Sequence, residues 1–242
     1  DAREVLFTCQ EERTLARQSF YGPRYREKVV AFGVEEPPAA GSTEVAQFRA
    51  TVPGLRQAPY LLFLSRIHPK KGCDLLIEAF GQIAATAPDI HLVIAGPDQV
   101  GQKAGLIAAT QKAGIAGRVH FPGMLQGALK WGAFRGAEAF ILPSHQENFG
   151  IVVAEAMACG TPVLISDKVN IWREVAETGA GLVEPDTVEG TRKLMSRFLA
   201  FSPAQRATMR GQARTGYEAK FGIEAAATDL EAVLLEIGGN KA

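Results

Sequence analysis

Six short apolar runs mark the middle of the chain: YLLFL (60 to 64), IHLVIA (90 to 95), RVHF (118 to 121), AFILP (139 to 143), PVLIS (162 to 166) and AGLVE (180 to 184). They are largely apolar throughout rather than alternating, the pattern of strands covered on both faces of a parallel sheet. Between them, Leu75, Leu76, Ala79, Phe80 and Ile83 keep helical spacing, as do Val152, Val153, Ala156 and Met157. The alternation predicts repeated βα units, hence an α/β fold: a doubly wound, Rossmann-like parallel sheet with helices on both faces.

The two ends read differently. EVLFTCQEERTLARQSF and KVVAF predict one more strand and helix and then another strand, and the Pro, Gly and Glu of GVEEPPAAGS mark a linker. Residues 1–40 therefore read as the tail of a preceding domain plus a linker, and 41–222 as the main lobe. In 223–242, Ile223, Ala227, Leu230, Leu234 and Ile237 form a stripe of period near 3.6, predicting a helix that lays this face on a surface.

Composition narrows the function. With 47% apolar residues in 242, the chain has material for a sizeable core. Lys plus Arg and Asp plus Glu are both 26, so no global field draws it to nucleic acid, and any anion must be met locally. Cys9, Cys73 and Cys159 are odd in number and widely spread, which predicts reduced thiols in a cytosol-like compartment. The four histidines lack metal-ligand spacing and no DxD occurs, so no metal is expected. No apolar run approaches the roughly 20 residues of a membrane span.

In a doubly wound sheet, ligands lie beyond the C-terminal ends of the strands. SRIHPKKG follows the first run and collects Arg66, Lys70 and Lys71 before Gly72, with a helix opening near Cys73 or Asp74. Positive charge and free backbone N–H groups there suit a diphosphate, although a solvated turn has the same composition. GPDQVGQKAG, after the second run, fails as a phosphate loop because Gln102 fills the lysine position and no Ser or Thr follows Lys103. Gly96 is read as the turn leaving a strand, with a nucleotide beside its backbone as the alternative. Met124, in FPGML, is either core or a backbone partner for a flat base.

The densest stretch is HQENFGIVVAEAMACGTP, in which Glu147 and Glu155 flank an expected helix start at Phe149 or Gly150. Unpaired N–H groups of residues 149 to 151 can support a phosphate. Glu155, among apolar neighbours, is placed to accept from paired ribose hydroxyls, about 6 to 8 Å further along the helix than its start.

These segments, SRIHPKKG, FPGML, PSHQENFGIVVAEAMACGTPVLISD and NIWREVAETGAGLVEP, resemble the nucleotide-sugar-binding lobe of family-four retaining glycosyltransferases of the GT-B fold, also called glycosyl transferases group 1. The likeness covers about 57 to 222, and its E-x7-E motif with EAMACGTPV is the most specific part. The resemblance implies transfer of a sugar from a nucleotide-diphosphate donor to an acceptor such as a glycan or lipid-linked glycan, with retention and without a metal cofactor. It implies catalytic parts for Glu147, Arg66 and Lys71, with the two cations on the diphosphate. Glu155 is then the ribose ligand, Met124 meets the base through its backbone, and Asn148, Phe149, Gly150 and Ile151 line the sugar or phosphate. Family members often carry Gly after the first Glu, so Asn148 departs from the pattern.

In that family a first lobe supplies most of the acceptor site, and here only its final strand and helix are read; the stripe from Ile223 to Ile237 matches a helix that in the family crosses back onto that lobe. The chain is therefore expected to bind donor and to transfer poorly alone. Relatives often extend envelope or lipid-linked glycans on the cytoplasmic face of a membrane, which leaves peripheral membrane association of a full-length protein open. A nucleotide-sugar epimerase of the same architecture and a non-catalytic nucleotide-sugar-binding domain are the alternatives. Base, sugar and acceptor are not legible.

Overall fold

The apolar runs fold as parallel strands in a computed structural model that describes residues 4–19, 25–41 and 43–239. In chain order the elements are β1 (Glu4–Phe7), α1 (Gln10–Ser19), β2 (Arg26–Val29), α2 (Glu44–Ala50), β3 (Tyr60–Leu64), α3 (Cys73–Ile83), β4 (His91–Ala95), α4 (Lys103–Lys112) and β5 (Val119–Gly123). They continue through α5 (Gly127–Gly136), β6 (Ala139–Leu142), α6 (Ile151–Ala158), β7 (Val163–Ser166), α7 (Trp172–Thr178), β8 (Gly181–Glu184), α8 (Val188–Leu199), α9 (Pro203–Lys220) and α10 (Ile223–Gly239). Each expected run overlaps a strand whose ends differ from it by at most two residues. The short helix α2 was not expected, and it packs on α5 at Gly132, where any side chain would strike the Glu44 carbonyl.

Six strands form one parallel sheet in the order β5-β4-β3-β6-β7-β8. The chain winds outward one way from β3 to β5, then returns to the middle and winds the other way. The point of reversal lies between β3 and β6, where a doubly wound sheet opens a crevice for ligands. Register agrees: β3 pairs with β4 along five residues but with β6 only at Leu61–Ala139 and Leu62–Phe140. The strands therefore part toward their C-terminal ends. Below the crevice the core is closed by fully buried Tyr60, Phe63, Phe134 and Phe140, with the Tyr60 hydroxyl donating to the Ala133 carbonyl at 2.7 Å.

β1 and β2 form a separate two-stranded parallel sheet joined through α1. The second expected strand, placed on 28 to 32, lies at Arg26–Val29 instead, and Phe32 leaves it to lie against Phe149, ring centroids 5.7 Å apart. The linker is tied down: Arg135 pairs with Glu44 and reaches the Pro38 carbonyl, Arg214 pairs with Glu36, and the Tyr217 hydroxyl donates to the Val34 carbonyl.

The C-terminal helix forms, and it leaves most of the expected apolar stripe exposed among the described residues. Ala226 and Val233 are the buried residues, whereas Ile223, Leu230 and Leu234 are exposed. The cause is the close approach at Gly33, whose missing side chain lets the backbone of Ile223 and the Ala226 methyl lie directly on it. Small residues thus set the rotation of the helix, and Lys28 with Glu236 holds it at 2.7 Å.

Three buried features predict measurable behaviour. Gly96 has φ +142°, and a side chain there would collide with the Ser65 carbonyl. Strain and overpacking together should make Gly96→Ala destabilising by about 2 to 4 kcal/mol in urea unfolding.

At the opposite end of the sheet, His91 and His120 stack, with Nδ1 and Nε2 2.8 Å apart. Burial, and then Arg118 for His91 and His91 for His120, holds both below the ordinary value of 6.5. The native chain therefore takes up these protons less readily than the unfolded chain. Stability from this pair is full above that value and is lost as pH falls through and below it, so His120→Gln should flatten the loss in urea midpoint between about pH 7 and 5.

All three thiols are free, and burial pushes Cys9 and Cys159 up to about 11 and Cys73 up to about 12. Native protein at pH 8 should react slowly with a thiol reagent that titrates all three once the chain is unfolded.

Candidate functional site

Two loops meet over the gap between β3 and β6. In the first, His68 accepts the Lys70 N–H at 3.1 Å, Pro69 starts a single turn of 3₁₀ helix, and left-handed Gly72 ends it. Gly72 lies so close to the Pro143 carbonyl that no side chain fits, and the His145 N–H donates to the Lys70 carbonyl at 2.9 Å. The turn buries Lys71, only 7% exposed, while Arg66 stays at the surface.

The second loop runs from Pro143 to Gly150. The Glu147 backbone is held from both directions, its N–H on the Lys168 carbonyl and its carbonyl on the Asn170 N–H, each at 3.0 Å. Its carboxylate forms an ion pair with Lys71. The helix begins one residue later than the latest expected position: Gly150 is left-handed at φ +81°, and α6 starts at Ile151. Phe149 is not presented as a ligand-facing side chain. It is buried against Phe32 and Phe221, the latter with centroids 5.8 Å apart at 87°, and anchors the loop. Among the described residues, the N–H groups of Phe149, Gly150 and Ile151 meet no acceptor.

Glu155 is the fifth residue of α6, and its side chain is 16% exposed. Its partner is Lys130 of α5, with Nζ 2.6 Å from Oε1 and 4.5 Å from the centre of the Trp131 ring. Each carboxylate of the E-x7-E pair thus has its own lysine.

Two adjoining cavities, about 390 and 350 Å³, share Arg66, Lys71 and Glu147. His68, Lys70 and Asn148 extend one, and Gly150 and Ile151 the other. Arg66, Lys71, Glu147, Asn148, Phe149, Gly150 and Ile151 are therefore brought together around one cationic crevice, and Glu155 lies further along α6. A cavity of about 640 Å³ between α3 and α4 is mostly apolar and holds none of these groups.

Two other positions behave differently. Met124 is not core; it is 61% exposed beyond the end of β5. Gly96 has its N–H committed to the Gly123 carbonyl at 2.8 Å, so its close packing on Ser65 already accounts for the glycine. In the neighbouring loop the Asp98 carboxylate accepts from the N–H groups of Gln102 and Lys103 at 2.9 and 3.2 Å. The start of α4 is thus filled by the chain's own acid, which is the physical reason that this loop is no phosphate cradle.

Sequence reading missed Lys130. The signal was present in GALKWGAF, a lone lysine in the first turn of a helix following a strand, but nothing local distinguishes it from a solvated lysine. Among the described residues, no group of three or more His, Cys, Asp or Glu side chains is placed to hold a metal, and no helix is long and apolar enough to cross a membrane.

A family model described as "Glycosyl transferases group 1" matches residues 49–215. A phosphatidyl-myo-inositol mannosyltransferase of Mycolicibacterium smegmatis is 32% identical over 189 residues, which is 74% of this chain and 47% of its own length. The chain spans half or less of the curated relatives it matches. Among solved structures, sucrose-phosphate synthase from Thermosynechococcus elongatus superposes with TM-score 0.81 at 24% identity, over 100% of this chain and 60% of that one. Anabaena HepE in complex with UDP and glucose gives 0.81 at 20%, over 97% and 63%. At these identities the two structures speak for the fold.

The ion pair beneath the crevice predicts its own signature. Lys71→Met strands a part-buried carboxylate and should cost about 2 kcal/mol in urea unfolding, and adding Glu147→Gln should recover most of it. Equal stability of Lys71→Met and the parent chain would show that the pair has no structural weight.

Proposed function

The chain belongs to the glycosyl transferases group 1 family, and from that premise we propose that it is the donor-binding lobe of a family-four retaining glycosyltransferase of the GT-B fold. The observation that carries this reading is the pairing of Glu147 with Lys71 in the loop before α6 and of Glu155 with Lys130 within it, where the helix starts beside the switch point of the sheet. A nucleotide-diphosphate sugar offers anions and hydroxyls in the same sequence.

In this account Arg66 and Lys71 hold the diphosphate, supported by the N–H groups of Phe149, Gly150 and Ile151. Glu147 and Asn148 meet the donor sugar, Glu155 the ribose, and the backbone at Met124 the base, with Gly96 supporting the neighbouring strand end. Two cations and a row of N–H groups stabilise the diphosphate as it departs, so no metal ion is needed for charge compensation. Transfer with retention breaks the bond from the anomeric carbon to the diphosphate oxygen while the acceptor oxygen bonds to that carbon on the same face. The acceptor proton passes to the departing phosphate. Glu147 then orients the sugar and its developing positive charge, rather than forming a covalent link.

Curated relatives are named for glycosyl transfer to D-inositol 3-phosphate and for phosphatidyl-myo-inositol mannosyl transfer. For this chain the acceptor class is a glycan or lipid-linked glycan, met largely by a first lobe of which β1, α1 and β2 are the last part. The chain alone should therefore bind donor and transfer sugar poorly.

Calorimetric titration with UDP, GDP and ADP in the presence of a chelator tests the reading. One nucleotide should bind, and Glu155→Ala and Arg66→Ala should each weaken it by about 1.5 to 3 kcal/mol, the worth of a hydrogen bond to a charged group. Absence of binding to all three, or variants that bind like the parent, would contradict the donor-site assignment. Efficient sugar transfer by the chain alone would contradict the division of labour between lobes.

A further inference from the structure

We propose that Lys130 is a second ribose ligand, and that it makes the nucleotide site selective for ribose over 2′-deoxyribose; the inference rests on the donor-site reading above. Lys130 stands in the first turn of α5, which follows the β5 loop carrying Gly123 and Met124, and Glu155 stands on α6 beside it. Both elements begin at the C-terminal edge of the sheet, the end that holds Arg66, Lys71 and Glu147.

The geometry leaves the pair unfinished. Lys130 Nζ engages Glu155 Oε1 at 2.6 Å, and among the described residues Glu155 Oε2 has no partner. The two side chains are 22% and 16% exposed, so the pair is open to a ligand yet sheltered from bulk water. The ammonium carries three N–H donors, and a single carboxylate oxygen takes one of them. The Trp131 ring, 4.5 Å from Nζ, supports the charge through its face and keeps the lysine stem from wandering.

A vicinal diol asks for two kinds of partner, since each hydroxyl both donates and accepts. A carboxylate alone meets only the donating half. Glu155 and Lys130 together meet both: a hydroxyl can donate to Oε2 while its oxygen accepts from Nζ. A 2′-deoxy sugar would leave one of these part-buried charged groups short of a partner, which is how a polar site rejects an analogue lacking a hydroxyl.

The competing possibility is that Lys130 is only a structural counter-ion for Glu155, which ribose would have to displace. The two cases predict opposite results for Lys130→Met, which keeps the stem over Trp131 and removes the charge. Binding of UDP, GDP and ADP and of their 2′-deoxy forms would be measured on the parent chain, Lys130→Met and Lys130→Arg, with thermal unfolding as a check on folding. A ribose ligand predicts that the parent prefers the ribo form by about tenfold, that Lys130→Met loses about that factor for the ribo form alone, and that Lys130→Arg recovers part of it. Parallel losses on both forms, unchanged binding, or tighter ribo binding by Lys130→Met would each overturn the proposal.

If no nucleotide binds the parent chain, the donor-site reading itself fails and this inference with it; if ribo and deoxy forms bind alike to every variant, only the inference fails. Should Lys130→Met not fold, ¹⁵N-lysine labelling of the parent gives the same decision. The Lys130 ammonium signal should move with the ribo nucleotide and much less with its 2′-deoxy form, and equal response to both would overturn the assignment.

Discussion

A carboxylate drawn out of water has to find a cation or a set of donors, and two of them flank the start of α6. Glu147 finds Lys71, and Glu155 finds Lys130. Much of the surrounding architecture serves those pairings. Lys71 is buried because Pro69 and Gly72 wind the loop into a tight turn, and the turn is fixed because Gly72 sits on Pro143 of the facing loop. Phe149, packed between Phe32 and Phe221, holds the second loop in place, so that Gly150 can turn left-handed and present three N–H groups beside the ion pair.

Sheet topology decides where this happens. Because the chain reverses its winding at β3 and β6, the loops after these strands diverge and leave a crevice between them. Positive charge is local, in a chain whose formal charges cancel. On the proposed reading an anion would be met at the crevice by Arg66, Lys70, Lys71 and open N–H groups, not by the field of the whole molecule. On the proposed reading that anion is the diphosphate of a sugar nucleotide, with Glu147 in the loop before α6 and Glu155 within it as the carboxylates that meet its hydroxyls.

The fold was legible because continuous apolar runs have one economical use, as doubly covered parallel strands, and six of them with helices between admit few arrangements. The crevice was legible from the same logic, since residues just after strands were the ones to read. What stayed hidden depended on contacts distant in sequence. Met124 carries no local mark that it stands outside the core, and the rotation of α10 is set by Gly33, nearly two hundred positions away. Lys130 was invisible for the same reason: its meaning comes from Glu155 and Trp131, and the former lies on another helix. Gly96 and Phe149 were noticed for their position, yet packing determines what they are.

On the proposed reading a nucleoside diphosphate lies along the N-terminal end of α6, between the β3 and β6 loops. Amide hydrogen exchange followed by mass spectrometry, with and without UDP, GDP or ADP, tests it most directly. Exchange should slow with one nucleotide in peptides spanning 66–72, 123–130 and 147–155, with no change in the groove between α3 and α4. Protection confined to that groove, or none in the three segments under a nucleotide that binds, would contradict it.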